Sequence, residues 1–335
     1  AVKCIMETVR ILQNAAVAAG APEHLIECIS VPTPAGTDAL MKHKDTSLIL
    51  ATGGEAMVRA AYSSGTPAIG VGPGNGPAFI ERSANVKLAV SQIMQSKTFD
   101  NGVICASEQS VVVEADMRDC VVEEMKRQGF YFMTEEQSDK LGRFLLRSNM
   151  TMNPAIVGKS AQELAKLSGI EIPASAKVLV SFQDTVSKSN PYSREKLTTV
   201  LAFYTEPTWE RACKRCIEIL NNEGKGHTMT IHSQNEDIIR EFALKKNVSR
   251  LLVNTPGTLG GIGASTNLTP ALTLGCGAVG GSSTSDNVGP LNLINIRRVA
   301  YGVRTLEEIK SGIPCVEHTS CAAECCHADD DVEAL

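Results

Sequence analysis

Helical and strand-like hydrophobic patterns alternate along most of this chain, with short connections between them. Up to residue 103 the patterns predict strands at 25–31, 48–51 and 68–71 and helices at 3–19, 37–43, 55–63 and 83–96. Beyond it they predict strands at 111–114, 178–182, 199–204, 227–232 and 250–253 and helices at 117–128, 135–147, 208–221 and 236–245. Because parallel strands need a crossover connection, usually a helix, this alternation predicts an α/β fold with parallel sheets covered on both faces.

The length of 335 residues is enough for two domains. A change in the rhythm of the elements places a boundary near residue 103, which divides residues 1–103 from a second α/β domain at 104–290. Residues 291–303 alternate enough to form an edge strand that pairs with another subunit, so we expect 291–305 to be an oligomerisation strand of a homo-oligomer. A flexible Cys-rich acidic tail is predicted for 306–335.

Composition excludes several classes of function. The net charge of −5 and the pI near 5.8 argue against a nucleic-acid partner. No apolar run approaches the roughly 20 residues that span a bilayer, and no signal peptide precedes Ala1, so a cytoplasmic protein without membrane contact is expected. Eleven mostly isolated Cys suit a reducing compartment better than a disulfide framework.

The tail holds the one cluster of soft metal ligands in the sequence, at Cys315, His318, Cys321, Cys325, Cys326 and His327. Their spacing is irregular and forms no CxxC pair, and the acidic end is typical of a solvated segment. Disorder is therefore the prediction here, and no metal site is expected.

Cys105 is the candidate nucleophile. It follows a polar turn at Asp100, Asn101 and Gly102 and precedes a strand-like run. A thiol at such a turn is reachable by substrate and lies near backbone N–H groups that stabilise a thiolate or an oxyanion. The alternative from the local pattern alone is a small buried hydrophobe, which is a common place for free Cys.

Three glycine-rich segments are candidates for ligand binding. Thr52-Gly53-Gly54 follows a buried strand and opens a helix, which suits a pyrophosphate, although a plain tight turn has the same pattern. Residues 70–76 place Gly at alternating positions, which suits a flat ring or phosphate lying against the loop. Residues 254–290 hold nine of the 27 Gly and form either a ligand-lining loop or a flexible one. No GxxxxGK[ST] motif supports ATP chemistry.

The sequence lacks the motifs of hydrolases that use a Ser-His-Asp triad or a pair of carboxylates. No GxSxG turn is present for a Ser-His-Asp site, and no distinctive carboxylate pair appears. Of the six His, His227 at a predicted strand start is the candidate acid/base; a structural histidine is the alternative.

Several stretches together resemble the CoA-acylating branch of the aldehyde dehydrogenase superfamily, especially the aldehyde dehydrogenase half of bifunctional aldehyde–alcohol dehydrogenases and the microcompartment aldehyde dehydrogenases. The matching stretches cover most of residues 1–305 in the family's order: LMKHKDTSLILATGG, AAYSSGTPAIGVGPGN, TFDNGVICASEQSVVVE, EKLTTVLAFY, GHT, LVNTP…GGIG and LTLGCGAVGG…NVGP. The resemblance implies two Rossmann-like parallel-sheet domains plus an oligomerisation strand, with residues 1–103 as an incomplete NAD-binding domain and 104–290 as the catalytic domain.

The resemblance also implies roles for individual residues. Cys105 matches the catalytic nucleophile, and His227 is the hypothetical acceptor of the CoA thiol proton. Glu195 matches the acid that holds the nicotinamide ribose, although a solvated charge beside Lys196 is the plain alternative. The remaining implied cofactor contacts are Leu197, near the nicotinamide ring, and Thr52, Gly53, Gly54 and Gly72.

The implied reaction is acyl transfer rather than hydrolysis. Hydrolytic relatives carry a water-activating Glu at about the position of Gly70, and no carboxylate lies between residues 67 and 80 here. A site without that base should hydrolyse its acyl-enzyme slowly, so that CoA takes the acyl group. The expected substrates are a small aldehyde, foremost acetaldehyde, with propionaldehyde and sulfoacetaldehyde as alternatives, NAD with NADP left open, and CoA.

One departure from the family pattern leaves a second interpretation open. Family members continue upstream of what is Ala1 here, with the first cofactor-domain strands, an oxyanion-hole Asn and the residues that choose between NAD and NADP. An N-terminally truncated chain that has an assembly role and no activity is therefore the alternative. The family resemblance also allows a location inside a bacterial microcompartment.

Overall fold

A computed structural model of the chain describes residues 2–312. Within these residues the strands are β1 (Ile49–Thr52), β2 (Ala68–Val71), β3 (Pro77–Ile80), β4 (Ser110–Glu114), β5 (Phe130–Phe132), β6 (Val178–Phe182), β7 (Val200–Glu206), β8 (Gly226–His232) and β9 (Val248–Val253). The helices are α1 (Val2–Ala18), α2 (Pro34–Met41), α3 (Glu55–Ser63), α4 (Val86–Thr98), α5 (Arg118–Gln128), α6 (Glu135–Leu145), α7 (Ala161–Ser168), α8 (Trp209–Asn222), α9 (Glu236–Lys245), α10 (Gly257–Gly261) and α11 (Leu306–Lys310).

Seven strands form one parallel sheet in the order β5-β6-β7-β4-β3-β8-β9. Its central strands β3, β4 and β8 are buried along their whole length. Strands of this kind are near-continuous apolar runs, because a parallel sheet is covered on both faces. The alternation in the sequence therefore predicted the fold class correctly.

Two hydrophobic clusters occupy the two faces of this sheet. Successive residues of β3 divide between them, since Phe79 packs on one side and Ala78 and Ile80 pack on the other. The Phe79 side is covered by α6 to α9 and includes a stacked pair with Phe242, with ring centroids 5.0 Å apart. The other side is covered by α4 and α5. The result is a three-layer arrangement of helices, sheet and helices.

A second, two-stranded parallel sheet is built by the unit β1-α3-β2. Its last strand is tied to the loop at 271–285, because the Ser282 hydroxyl donates to the Gly70 carbonyl at 2.7 Å. The Tyr62 hydroxyl also accepts from the Ser283 N–H at 2.9 Å. These bonds bring the carboxyl ends of β1 and β2 next to the glycine-rich loop that follows β9.

The predicted strand at 25–31 is wrong. This segment consists of turns and irregular backbone, and His24 just before it has a left-handed φ of 64°. The Ile26 N–H is bonded by the Gln13 side chain instead of a neighbouring strand. Leu25, Ile29 and Val31 are exposed, with Val31 at 72%. No described strand lies beside this segment, so its backbone has no partner with which to form a strand.

The change from one sheet to the other comes earlier in the chain than residue 103. Strand β3 pairs with β4 and β8, and α4 packs on that same sheet, so both belong with the larger sheet although they precede residue 103. The sequence patterns also missed β3, β5, α7 and α10, and α11 forms within the first residues of the stretch predicted to be a flexible tail. Assignment of the two parts to cofactor binding and catalysis stays a prediction.

The described residues 294–312 belong to a second compact unit, and the first ends at Leu293. The predicted strand at 291–303 has no counterpart here: a short turn at Pro290–Asn292 leads into irregular backbone. A strand needs a hydrogen-bonding neighbour, and no described strand pairs with this segment. The proposed oligomerisation role stays a prediction, and the tail's Cys and His residues lie outside the described residues. No described helix is long and apolar enough to cross a membrane.

We predict that Gly226→Ala strongly destabilises the fold. Gly226 opens β8 with φ +83°, and a Cβ there would lie 2.1 Å from the Cys276 carbonyl oxygen. Strain and the displaced carbonyl together should lower the free energy of unfolding by about 3 kcal/mol in urea denaturation. Gly281→Ala is the control, since φ is +72° there but no atom lies within 4 Å, and it should lose only about 1 kcal/mol. Equal losses would contradict the packing argument.

Candidate active site

A cleft of about 1070 Å³ runs along one edge of the larger sheet. Gly54 and Gly72, which follow β1 and β2, line one part of it. Glu195 and Leu197, which precede β7, line another, together with Cys276. The cleft therefore joins the carboxyl ends of the smaller sheet to the amino ends of the larger one.

Cys105 lies on a turn at the amino end of β4 and is half-buried. The turn before it is strongly bent, because Asp100, Asn101 and Gly102 all have left-handed φ angles. Such consecutive strained residues persist only where surrounding contacts hold them, and the Asn101 side chain donates to the Gly158 carbonyl at 3.0 Å. The predicted turn is present, and Cys105 on it is only partly buried.

Gly74 is the point where three of the predicted site residues meet. A Cβ at this position would lie 2.1 Å from the Cys105 carbonyl oxygen and 3.2 Å from His227 Nδ1. The Gly74 N–H donates to Glu195 Oε1 at 2.7 Å. Only glycine fits there, so the loop after β2 holds Cys105, Glu195 and His227 around one residue.

The resting Cys105 thiol is protonated at neutral pH. Burial, with further contributions from the nearby Glu195 and Cys276, raises the pKa of Cys105 to about 12. The Arg250 guanidinium and the backbone N–H of Cys105 itself act in the opposite direction. The same N–H is a ready donor for an oxyanion that forms beside the sulfur.

Glu195 is a carboxyl group in an unfavourable place for charge. Burial raises its pKa to about 8, and the neighbouring Glu223 adds to the shift. The hydrogen bond from Gly74 and the cations Lys97 and Lys196 oppose it. Glu195 therefore gains or loses its proton near neutral pH, where its charge influences the thiol next to it.

His227 is fully buried at the start of β8. Its Nδ1 lies 2.9 Å from the Thr228 hydroxyl, and its Nε2 has no hydrogen-bond partner among residues 2–312. Burial and the Arg250 cation lower the pKa of His227 to about 3. The ring is therefore neutral at physiological pH and a weak base, with little affinity for a second proton.

The glycines divide into two groups. Gly54 and Gly72 line the cleft, and a Cβ at either would meet no atom within 4 Å, so both leave room for a ligand. Gly54 also begins α3 without a side-chain cap, which leaves its first N–H groups for an anion. Thr52 and Gly53 are not among the residues that line the cleft: Thr52 is exposed, with its hydroxyl 3.5 Å from that of Thr273, and Gly53 packs on Met57.

Gly70 is closed to any larger side chain. A Cβ there would lie 2.7 Å from Val58 Cγ1 and 2.8 Å from the Tyr62 ring. A carboxylate at this position would have to displace the Tyr62 ring, and residues 67–80 carry none. Leu197 has a left-handed φ of 48° and turns the loop that carries Glu195.

Several site residues were missed from the sequence. Arg250 is nearly fully buried on β9 and donates to the carbonyls of Ser285 and Gly275. Cys276 is buried in the LGCG stretch and lines the cleft. No local pattern marks Arg250, which looks like a surface charge, whereas the glycines around Cys276 could have identified it. The buried Lys97 and Glu108 were missed as well, because no local pattern marks a charged residue as buried.

Comparisons with known proteins agree with this architecture. The model of the aldehyde dehydrogenase family matches residues 4–202. The chain is 44% identical over 295 residues to the bifunctional aldehyde-alcohol dehydrogenase AdhE of Escherichia coli K12, which covers 87% of this chain and 33% of that protein. The chain thus spans about a third of the length of the curated relatives that it matches most strongly.

Solved structures are similar along nearly the whole described chain. A probable aldehyde dehydrogenase from Listeria monocytogenes superimposes with a TM-score of 0.90 at 64% identity, over 92% of this chain and 68% of that one. An acetylating aldehyde dehydrogenase from Geobacillus thermoglucosidasius superimposes with a TM-score of 0.89 at 50% identity, over 91% and 68%. From the family match, the identities and the shared parallel-sheet architecture, we conclude that this chain belongs to the aldehyde dehydrogenase family.

Proposed function

We propose that the protein oxidises a short aldehyde to an acyl-CoA through a thioester on Cys105, with acetaldehyde as the foremost substrate and NAD as the hydride acceptor. The observation that carries this proposal is the half-buried Cys105 held against Gly74, on a glycine-rich loop that has no carboxylate and whose Gly70 position is filled by Val58 and Tyr62. The acetylating relative from Geobacillus supports the choice of acetaldehyde.

The cleft has the features that a dinucleotide needs. Gly54 and the uncapped start of α3 would hold the pyrophosphate, and Gly72 would lie against the cofactor. Glu195 would accept from the nicotinamide ribose, and Leu197 would lie near the ring. When bound, the nicotinamide supplies the hydride acceptor for the oxidation step.

Covalent chemistry begins at the Cys105 sulfur. The thiol gives its proton to solvent as the sulfur adds to the aldehyde carbonyl, and the oxyanion that forms would accept from the Cys105 N–H. With the cofactor bound, this adduct would give a hydride to it as the C–O⁻ becomes C=O, which leaves an acyl group on the sulfur. The CoA thiol then attacks the thioester, the Cys105–acyl bond breaks, and acyl-CoA leaves as Cys105 regains a proton.

Two features would favour transfer of the acyl group to CoA over hydrolysis of the thioester. Because the Gly70 position offers no base, water is not activated on that side, and the intermediate persists. His227 stays the hypothetical acceptor of the CoA thiol proton. As a fully buried and weak base, it should contribute at the low end of general acid–base catalysis, about 10²-fold.

The central test is NADH formation from acetaldehyde and NAD⁺, with and without CoA. We expect turnover that requires CoA, and a fall of at least about 10³-fold in Cys105→Ala, since the covalent nucleophile is removed. Cys120→Ala is the matched control, because that thiol is exposed on α5 away from the cleft, and its activity should be unchanged. Equal turnover without CoA would instead indicate a hydrolytic enzyme.

A folded chain without turnover and without a thermal shift on addition of NAD⁺ would reject the enzymatic proposal for this chain. That pair of results would favour the assembly role. A thermal shift without turnover would place the defect in the chemical step instead of in cofactor binding.

For His227→Gln we expect two phases to respond differently. The burst of NADH from acyl-enzyme formation, measured without CoA, should be unchanged, because it needs only Cys105 and the cofactor. Transfer to CoA should fall about 10²-fold, since the acceptor of the thiol proton is lost. An unchanged transfer rate would remove His227 from the mechanism.

A further inference from the structure

A buried lysine and a buried cysteine are in direct contact on the face of the larger sheet that carries Phe79. Cys213 lies on α8, and Lys246 directly follows α9. The Lys246 Nζ donates to the Cys213 Sγ at 2.5 Å. The two residues are 33 positions apart in the sequence, so the contact joins two separate helices. Neither residue has a role in the proposed function.

The Cys213 sulfur is the only hydrogen-bond acceptor of the Lys246 ammonium within residues 2–312. A second contact is the face of the Phe242 ring, whose centroid lies 4.0 Å from Nζ. The adjacent Lys245 is exposed and pairs with the Glu241 carboxylate. A lysine is almost never buried unless it is paired, and the partner of Lys246 is a sulfur. Because a neutral thiol is a weak acceptor, this contact favours the thiolate, which is the reactive form of cysteine.

The pair is buried but keeps some contact with solvent. Cys213 has 5% of its surface exposed and Lys246 has 6%, whereas Cys216, one turn further along α8, has none. A small oxidant such as hydrogen peroxide therefore reaches the first two residues more readily than the third.

We propose that Lys246 and Cys213 form an oxidative cross-linking site, where hydrogen peroxide converts the thiol to a sulfenic acid and Lys246 Nζ then bonds to the sulfur. The short distance between Nζ and Sγ carries this proposal, because the nitrogen already stands next to the atom that it would attack. The proposal goes beyond the proposed function and needs no nicotinamide cofactor, CoA or aldehyde.

The cross-link forms in two steps. Peroxide gives one oxygen atom to the Cys213 sulfur and leaves as water, so the sulfur loses two electrons and the peroxide gains them. Lys246 releases its third ammonium proton to solvent and attacks the sulfenic sulfur; the S–O bond breaks, and the hydroxyl leaves with one amine proton as a second water. One thiol, one amine and one peroxide thus give a sulfenamide and two waters. The new bond would tie α8 to the segment between α9 and β9.

The experiment treats the full, reduced chain with hydrogen peroxide until the exposed Cys120 is oxidised. The remaining thiols are then blocked with iodoacetamide after unfolding, and the peptides are mapped by tandem mass spectrometry. We expect a linked pair of peptides, two hydrogen atoms lighter than their sum, with the bond between Lys246 and Cys213. Dithiothreitol should separate the pair, because cysteine oxidation at this level is reversible.

Four variants test the assignment. Lys246→Arg keeps a cation but should lose the linked pair, since a guanidinium is not deprotonated and cannot attack the sulfur. Cys213→Ala should lose the linked pair too. Lys245→Met changes the adjacent exposed lysine, and Cys216→Ala changes the competing thiol of the same helix; both should keep the link at its wild-type yield. If Lys246→Arg does not fold, the wild-type peptide map decides the question by itself.

The proposal is overturned if Cys120 is oxidised and no peptide pair is joined at Lys246 and Cys213. It is also overturned if the two hydrogens are lost to a Cys213–Cys216 disulfide, which has the same mass but persists in Lys246→Arg and disappears in Cys216→Ala. A bond that maps to Lys245 would likewise reject it. None of these results depends on turnover, so failure of the proposed function in the NADH assay would be seen separately.

Discussion

The close approach of Gly74 to the Cys105 carbonyl is the constraint on which the rest of the site depends. Any side chain at this position would collide with a backbone oxygen that has no room to move. With glycine at this position, the Gly74 N–H donates to Glu195 and the Gly74 Cα lies against His227. The nucleophile, the carboxyl group and the imidazole come from distant parts of the chain, and one glycine lets them meet.

This meeting point lies at an unusual edge of the sheet. Ligands of open α/β sheets generally bind outside the carboxyl ends of the strands. The smaller sheet follows that rule, since Gly54 and Gly72 follow its strands and line the cleft. The larger sheet contributes the loops before β4 and β7 and the start of β8. In the function that we propose, this arrangement would let one sheet hold the cofactor while the other supplies the nucleophile.

Charge is the second organising feature, and it is distributed among buried groups. Glu195 and Glu108 lie near Lys97, while Arg250 lies near His227 and the thiols of Cys105 and Cys276. Burial favours the neutral forms of Glu195, Glu108 and Lys97, and the neighbouring opposite charges oppose that shift only in part. The protonation of Cys105 is accordingly a property of the whole cluster.

The sequence by itself determined the α/β class and most of the helices and strands, because periodicity and turn-forming residues act over short distances. It also singled out Cys105, Glu195 and His227 as candidate site residues. It predicted a strand at 25–31 that does not form and missed β3, because a strand depends on a neighbour that local pattern does not reveal. Only the tertiary structure decided that Cys105, Glu195 and His227 share Gly74. It also decided that Lys97 and Arg250 are buried beside them, because burial and charge pairing arise between segments that are far apart in the chain.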